Sequence, residues 1–314
     1  MPNLSDFTEQ LNPNCFPLCS REQRKKNIKE GICSKVTSVF DDREVRCVAP
    51  WAREKIHYLT RYFDLFSTGM KFKWEGNINY IEICSGPGIC MDRDSGTEFL
   101  GTPLAIAQKK SFDFLARAVF VDLNQFVVTT LNERFNDFGK SPKAIAIQGN
   151  YLNTAETIKD IRSHISKSGL NLIFIDPTDV SVPFETVASL SDAFGKSDII
   201  INIMYGSDVK RGLSSAMADP YGRARIKYSS FLGSNDFFVS DINKALFEAG
   251  KHDQLHQKFI DCYLGKLKDI GYIYTGFQSV RHLYELFFAT TNKKGLEFWE
   301  KATHKEPDGQ RKLL

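Results

Sequence analysis

The sequence predicts an α/β chain built on a doubly wound, mostly parallel sheet, and three observations carry that reading. Short apolar runs without polar alternation recur at 78–84, 118–122, 144–148, 172–176 and 198–203, as strands covered on both faces should. Helical patterns lie between them, near 101–110, 124–136, 154–168 and 183–195, which makes successive strands parallel βαβ units. Two further runs, 272–277 and 284–290, read as strands and bring the count to seven.

Composition sets the outer bounds. A chain of 314 residues, 42% hydrophobic and 25% charged, buries a full core as an ordinary globular protein does. Its net charge of +3 is too small to mark a nucleic-acid binder from the total alone. No apolar run approaches the roughly 18–20 residues that span a bilayer, and Met1–Asp6 lacks the basic and apolar regions of a secretory signal. The seven cysteines are an odd count, and Cys84 and Cys262 lie in core-like segments, so a reduced, cytoplasmic setting without a membrane partner is expected.

Residues 1–49 form a basic arm carrying Cys15, Cys19, Cys33 and Cys47. Four thiolates suit zinc, but the two-residue knuckle spacing is absent and the arm has no histidine, so reduced cysteines are the other reading. Its basic run, Arg21, Arg24, Lys25, Lys26 and Lys29, reads as a solvated helix face or a phosphate patch. The α/β domain occupies 50–304. Pro50 opens it with a helix whose Ile56, Leu59, Phe63 and Phe66 recur at helical steps; Trp51 at its start is core or a wall of the ligand site.

Within the domain, 206–237 breaks the rhythm. Its glycines and serines show no period, so it reads as an insertion or lid, with Arg223, Arg225 and Lys227 interleaved with Tyr221 and Tyr228. His252 and His256 stand one helical turn apart without the Glu of a His-Glu-x-x-His site and read as surface histidines. A last helix spans 294–302, and 305–314 is a frayed tail.

Ligands of open parallel sheets bind at the carboxyl ends of the strands. The first strand runs into Glu82-Ile83-Cys84-Ser85-Gly86-Pro87-Gly88, a tight loop where glycine lets a ligand touch the backbone. A dinucleotide site needs a third glycine at 91 and a helix starting at once; position 91 is Met, and the next helix waits until Thr102-Pro103-Leu104. No Gly-Lys-Ser/Thr run exists either, which excludes a P-loop. Without a pyrophosphate cradle, the loop suits a nucleoside with a small charged tail. Asp122, followed by Leu123, is placed to accept from ribose hydroxyls. Asn150, followed by Tyr151, offers donor and acceptor to an adenine edge. Asp176-Pro177-Thr178-Asp179 ends the fourth strand, with Asp179 either a second carboxylate or a turn cap. The gap 89–100, with Asp92, Arg93, Asp94 and Glu98, is a candidate edge of the substrate site.

This order resembles class I S-adenosylmethionine-dependent methyltransferases, and the resemblance implies a Rossmann-like seven-stranded sheet closed by a hairpin whose last strand is antiparallel. The resemblance makes Glu82, Cys84, Gly86, Pro87, Gly88, Asp122, Leu123, Asn150 and Tyr151 the cofactor set. It makes Asp176 and Pro177 the catalytic motif, with Thr178, Asp179, Arg223, Arg225 and Lys227 toward substrate. A closer resemblance, over about 50–302, is to the three-Cys-motif partner proteins of bacteria and phages. It rests on Trp51-x3-Lys55, Glu82 to Gly88, Gly101-Thr102-Pro103-Leu104-Ala105, Phe174-Ile175-Asp176-Pro177, Phe231-Leu232-Gly233, and Leu286-Phe287-Phe288-Ala289 through Phe298-Trp299. The second proline and aromatic of adenine amino-methyltransferases are absent after Pro177, which argues against base methylation. The implied function is S-adenosylmethionine-dependent methylation of an anionic macromolecule such as nucleic acid, with Asp176 hydrogen-bonding or deprotonating the acceptor. The alternative is a non-catalytic subunit that keeps the fold and acts with a partner protein.

Overall fold

The structure is a computed structural model and describes residues 4–15, 23–166, 168–281 and 283–310. It divides into two compact units, Met1–Gly149 with Ala302–Leu314, and Asn150–Lys301. In chain order the first carries α1 (Arg24–Lys29), β1 (Arg46–Val48), α2 (Ala52–Met70), β2 (Ile78–Ile83), β3 (Ile89–Asp92), β4 (Glu98–Leu100), α3 (Thr102–Ala107), β5 (Arg117–Asp122), α4 (Gln125–Asp137) and β6 (Ala144–Gln148). Then follow α5 (Thr154–Arg162), β7 (Leu170–Ile175), α6 (Phe184–Phe194), β8 (Ser197–Ile203), α7 (Lys210–Ala218), α8 (Arg223–Leu232), α9 (Asp236–Val239), α10 (Asp241–Glu248), α11 (His252–Asp269), β9 (Tyr274–Val280), β10 (Tyr284–Thr290) and α12 (Lys293–Thr303). Seven strands form one sheet in the order β6-β5-β2-β7-β8-β10-β9, mostly parallel, with β10 antiparallel to both neighbours. This is the fold class the apolar runs predict.

In the first unit β2, β5 and β6 pair in parallel, Ile81 opposite Val119 and Val119 opposite Ile145. A run of rings packs one face of these strands: Phe63 of α2 lies 5.7 Å from Tyr80, Tyr80 5.6 Å from Phe120, and Phe120 5.0 Å from Phe135 of α4. The 89–100 gap is a hairpin of β3 and β4, and β1 pairs in parallel with β3, Arg46 opposite Cys90. The N-terminal residues are therefore part of this unit's structure. Buried Glu98 of β4 accepts from Asn12 Nδ2 and Ser38 Oγ, each at 2.6 Å, and from the Val39 N–H at 3.0 Å. The start of the tail is likewise docked: Tyr58 donates to Glu306, and His57 Nε2 lies 3.0 Å from the Lys305 carbonyl. Arg24, Lys25, Lys26 and Lys29 lie on α1, which buries no side chain; Arg21 lies outside the described residues.

In the second unit the stretch read as an aperiodic lid is helical. It comprises a π-helical turn at Tyr205–Val209, then α7, α8 and α9. Short helices hide the period: a turn at Asp219–Gly222 and the left-handed cap Gly233 reset the phase about every ten residues. The stretch is anchored by rings, with Phe231 stacked 4.5 Å from Tyr263 and 5.9 Å from Phe259. Gly212, inside α7, admits the Tyr228 ring: a Cβ there would lie 2.2 Å from the phenolic oxygen. Trp299 stacks 5.0 Å from Phe288 and occupies the space a Cβ on Gly276 would need.

Candidate functional site

The glycine loop is a sharply reversed piece of backbone. Cys84 (φ 66°), Gly86 (φ 70°) and Gly88 (φ 92°) all adopt the left-handed region, which a β-carbon disfavours. The two glycines serve different ends. A Cβ on Gly88 would meet Leu104 Cγ and Leu131 Cδ1 at 2.9 Å, so Gly88 lets α3 and α4 pack against the loop. A Cβ on Gly86 would meet only Arg46, at ordinary contact distance. The chain then enters β3, where Met91 is buried, so no helix N-terminus follows the loop and a pyrophosphate has no cradle.

Hydrogen bonds hold the loop's shape. The Ser85 N–H donates to the Val121 carbonyl at 3.0 Å, and the Gly101 N–H to the Gly88 carbonyl at 2.8 Å. Asp122, buried at the end of β5, accepts from the Gly86 N–H on Oδ2 and the Asn124 N–H on Oδ1, both at 3.0 Å. Each oxygen keeps one acceptor position. Glu82 is fully buried and accepts from the Tyr80 hydroxyl at 2.7 Å and from the Thr102 hydroxyl, so it braces β2 against α3 from inside.

A buried cation completes the brace. Arg134 of α4 is wholly buried and pairs bidentately with Asp41, at 2.7 and 2.8 Å. Its Nη1 donates to the Pro87 carbonyl at 2.6 Å and the Glu44 carbonyl at 2.9 Å. Burial alone would raise the Asp41 carboxyl, but the bonds and charge of Arg134 hold it below the ordinary carboxylate range. Arg43 adds ion pairs to Asp137 at 2.6 Å and Glu133 at 2.8 Å. None of Arg134, Asp41 or Arg46 is announced by a motif. Strand pairing and contacts across some ninety positions bring them to the loop.

What the braces leave unused is the informative remainder. The Ser85 hydroxyl is buried without a hydrogen-bond partner among the described residues. Leu123, next to Asp122, is 60% exposed, an apolar side chain facing solvent beside a buried acid. Trp51 is half-buried, with the Arg93 guanidinium 4.6 Å from its ring centre.

In the second unit, Asn150 Oδ1 accepts from the Leu152 N–H at 2.9 Å, closing its own turn, and the Tyr151 hydroxyl meets Ser181 Oγ at 2.8 Å. Asp176 Oδ1 accepts from Asn202 Nδ2 of β8 at 2.8 Å; Pro177 is buried and Thr178 exposed. Asp179 belongs to an ion cluster: Lys227 Nζ lies 3.0 Å from Asp179 and 2.6 Å from Asp208, which also accepts from the Val180 N–H and the Tyr228 hydroxyl. Burial would raise Asp208, yet Lys227, Val180 and Tyr228 hold it below the usual carboxylate range; the same pairing lifts Lys227 against burial.

The substrate-facing reading of two basic residues is thereby corrected. Lys227 is neutralised in the cluster. Arg225 is buried, lies 4.3 Å from the Phe238 ring centre, and donates to Asn235 Oδ1 at 2.8 Å and the Ala216 carbonyl at 3.0 Å. Arg223 alone of the three stays exposed.

The zinc reading finds no support. Among the described residues no group of three or more His, Cys, Asp or Glu is arranged to hold a metal. Cys15 is buried, Cys33 and Cys47 are half-buried, and Cys19 lies outside the described residues. His256 is not a surface residue: it is buried, its ring 6.1 Å from that of Tyr205. Among the described residues no helix is long and apolar enough to cross a membrane.

No family model and no curated protein matches the chain. Solved structures similar to it include an O-methyltransferase of Bacillus cereus in complex with SAH, at 11% identity over 88% of this chain and 94% of that one, with a TM-score of 0.38. An SAH-bound methyltransferase of Podospora anserina shares 14% identity over 86% and 97%, also at 0.38. A caffeoyl-CoA O-methyltransferase-like protein of Staphylococcus aureus shares 13% over 73% and 82%, at 0.36. These figures describe distant likeness, and the functional reading rests on the loop.

Proposed function

We propose that the chain is an S-adenosylmethionine-dependent methyltransferase that acts on an anionic macromolecule, with nucleic acid the leading substrate class. The observation that carries the reading is the glycine loop: left-handed at three positions, followed by a strand rather than a helix, and bordered by Asp122 and the unpartnered Ser85 hydroxyl. Such a loop rejects a pyrophosphate and suits an adenosine carrying an amino-acid tail. Asp122 would take the ribose hydroxyls on its two free acceptor positions, Leu123 would cover a face of the base, and Ser85 would meet the polar tail. Gly86 and Gly88 keep the backbone close, Cys84 and Pro87 shape the turn, and Glu82 stiffens the strand beneath. The bound cofactor would supply an electrophilic methyl group for in-line transfer.

In this reading Asp176 is the acid–base group, oriented by Asn202 and held in place by buried Pro177, with Thr178 and Asp179 toward the acceptor. Arg223 would meet phosphate. The motif resemblance to three-Cys-motif partner proteins supports the same cofactor. A second reading, a non-catalytic subunit acting with a partner protein, is favoured by one observation: Arg225 and Lys227 are spent internally, which thins the basic surface a polyanion would need.

Calorimetry with S-adenosylmethionine tests the first reading. Asp122→Asn should bind about 10- to 150-fold more weakly, the range for a hydrogen bond to a charged group. Parent protein that takes up no cofactor at millimolar concentration would sink the proposal. Binding without labelled-methyl transfer to RNA, DNA or protein would move the balance to the second reading.

A further inference from the structure

The N-terminal segment brings one more group to the loop. Arg46 opens β1, and the parallel pairing of β1 with β3 sets it opposite Cys90, just past Gly88. From there its side chain reaches back over the loop. A Cβ built on Gly86 would lie 3.6 Å from Arg46 Cδ and 3.7 Å from its Nη1. Its surroundings differ from those of Arg43 and Arg134, the two other arginines near the loop. Those are consumed by Asp41, Glu133, Asp137 and backbone carbonyls. Among the described residues the Arg46 guanidinium has no ion pair or hydrogen bond, and it is exposed. An exposed guanidinium without a carboxylate partner among the described residues, within contact distance of the turn, can pair with an anion there. The buried Ser85 hydroxyl, one residue before Gly86, has no hydrogen-bond partner among the described residues either.

We infer that Arg46 is the binding residue for the α-carboxylate of the cofactor's amino-acid tail, so that the N-terminal segment supplies part of the cofactor site. The assignment rests on the reading of the loop as an S-adenosylmethionine site. The chemistry fits in three respects. A guanidinium offers a planar fork of N–H donors that matches a carboxylate bidentately. Gly86 has no side chain, so nothing on the loop stands between the fork and a ligand lying along its backbone. Ser85 supplies a hydroxyl for the same polar end. Asp122, which holds the Gly86 N–H, and exposed Leu123 then suit the nucleoside end, while Arg46 would take the anionic tail.

The Asp41–Arg134–Pro87 linkage makes this segment a rigid platform. Asp41 and Glu44 of the same segment are fixed to Arg134, and Arg134 in turn holds the Pro87 carbonyl. Arg46 is therefore delivered from backbone tied to the loop it serves.

The test compares two ligands that differ at the tail: S-adenosylhomocysteine, which carries the carboxylate, and 5′-methylthioadenosine, which lacks it. Each is titrated calorimetrically into the full-length parent and into Arg46→Ala and Arg46→Lys, with thermal melts confirming that all three are folded. Arg46→Ala should lose about 10- to 150-fold in affinity for S-adenosylhomocysteine. Its affinity for 5′-methylthioadenosine should stay within about twofold, and Arg46→Lys should recover part of the loss. Unchanged binding of S-adenosylhomocysteine by Arg46→Ala would overturn the assignment while leaving the cofactor reading standing. Equal losses for both ligands would also overturn it, because Arg46 would then be shaping the loop. A parent that binds neither ligand would remove the cofactor reading, and the assignment with it.

Discussion

The loop after β2 and the loop after β7 each follow a buried apolar strand and carry a proline, Pro87 and Pro177. They are finished in different ways. After β2, Arg134, Asp41, Glu82 and Asp122 brace the backbone from within, and Ser85 and Arg46 are left unmatched at the surface of the turn. After β7, the charges close on one another: Lys227 bridges Asp179 and Asp208, and Arg225 is buried beside Phe238. Unmatched polar groups need a ligand or water, and matched ones do not. The first loop leaves polar groups for a ligand to match, and the second fixes its charges internally.

The largest effect should come from the buried brace. Arg134→Met leaves the Asp41 carboxylate and the Pro87 carbonyl without their partner, and breaking a buried pair of this kind costs about 3–5 kcal/mol. Urea unfolding with tryptophan fluorescence measures it. A loss below about 1 kcal/mol would mean that the first loop is not held by this residue.

Lys227→Met should cost less, roughly 1–2 kcal/mol, because the ammonium is part-exposed and partly screened. Its pH signature is more specific. The depressed Asp208 carboxyl contributes stability that is present above its ordinary value of 3.8 and lost as pH falls below it. The raised Lys227 ammonium contributes stability that is present below 10.5 and lost as pH rises beyond it. Melting temperatures measured across both windows should fall less steeply in Lys227→Met than in the parent. Parallel profiles would show that the cluster does not hold the second loop.

The smallest change in stability should follow Arg223→Ala, within about 0.5 kcal/mol for an exposed side chain. Its effect should appear instead in polyanion binding. Fluorescence anisotropy with a single-stranded oligonucleotide over a salt series should show a log–log slope reduced by about 1. An identical slope would take α8 out of the proposed substrate surface.

Much of the fold was legible because it is local. The runs 78–84, 118–122 and 144–148 became β2, β5 and β6 within a residue or so, and Thr102-Pro103 does begin α3. The glycine loop, with Asp122 beside it, was legible for the same reason, since left-handed turns and strand ends mark themselves in the residues used. The helices of 206–237 were missed because each ends before a 3.6-residue period can repeat more than about twice. The role of the N-terminal residues was missed because it depends on pairing at a distance, β1 with β3 and Asp41 with Arg134.

The sequence by itself determined the strands, their order along the chain, and a sharply reversed loop marked by its glycines. It did so because apolar periodicity and backbone sterics act over a few residues. Only the tertiary structure decided which charges are spent and which are spare. A side chain's partner is set by where the folded backbone carries it, and the same guanidinium is a buried brace at Arg134, a packing group at Arg225, and an unmatched cation at Arg46.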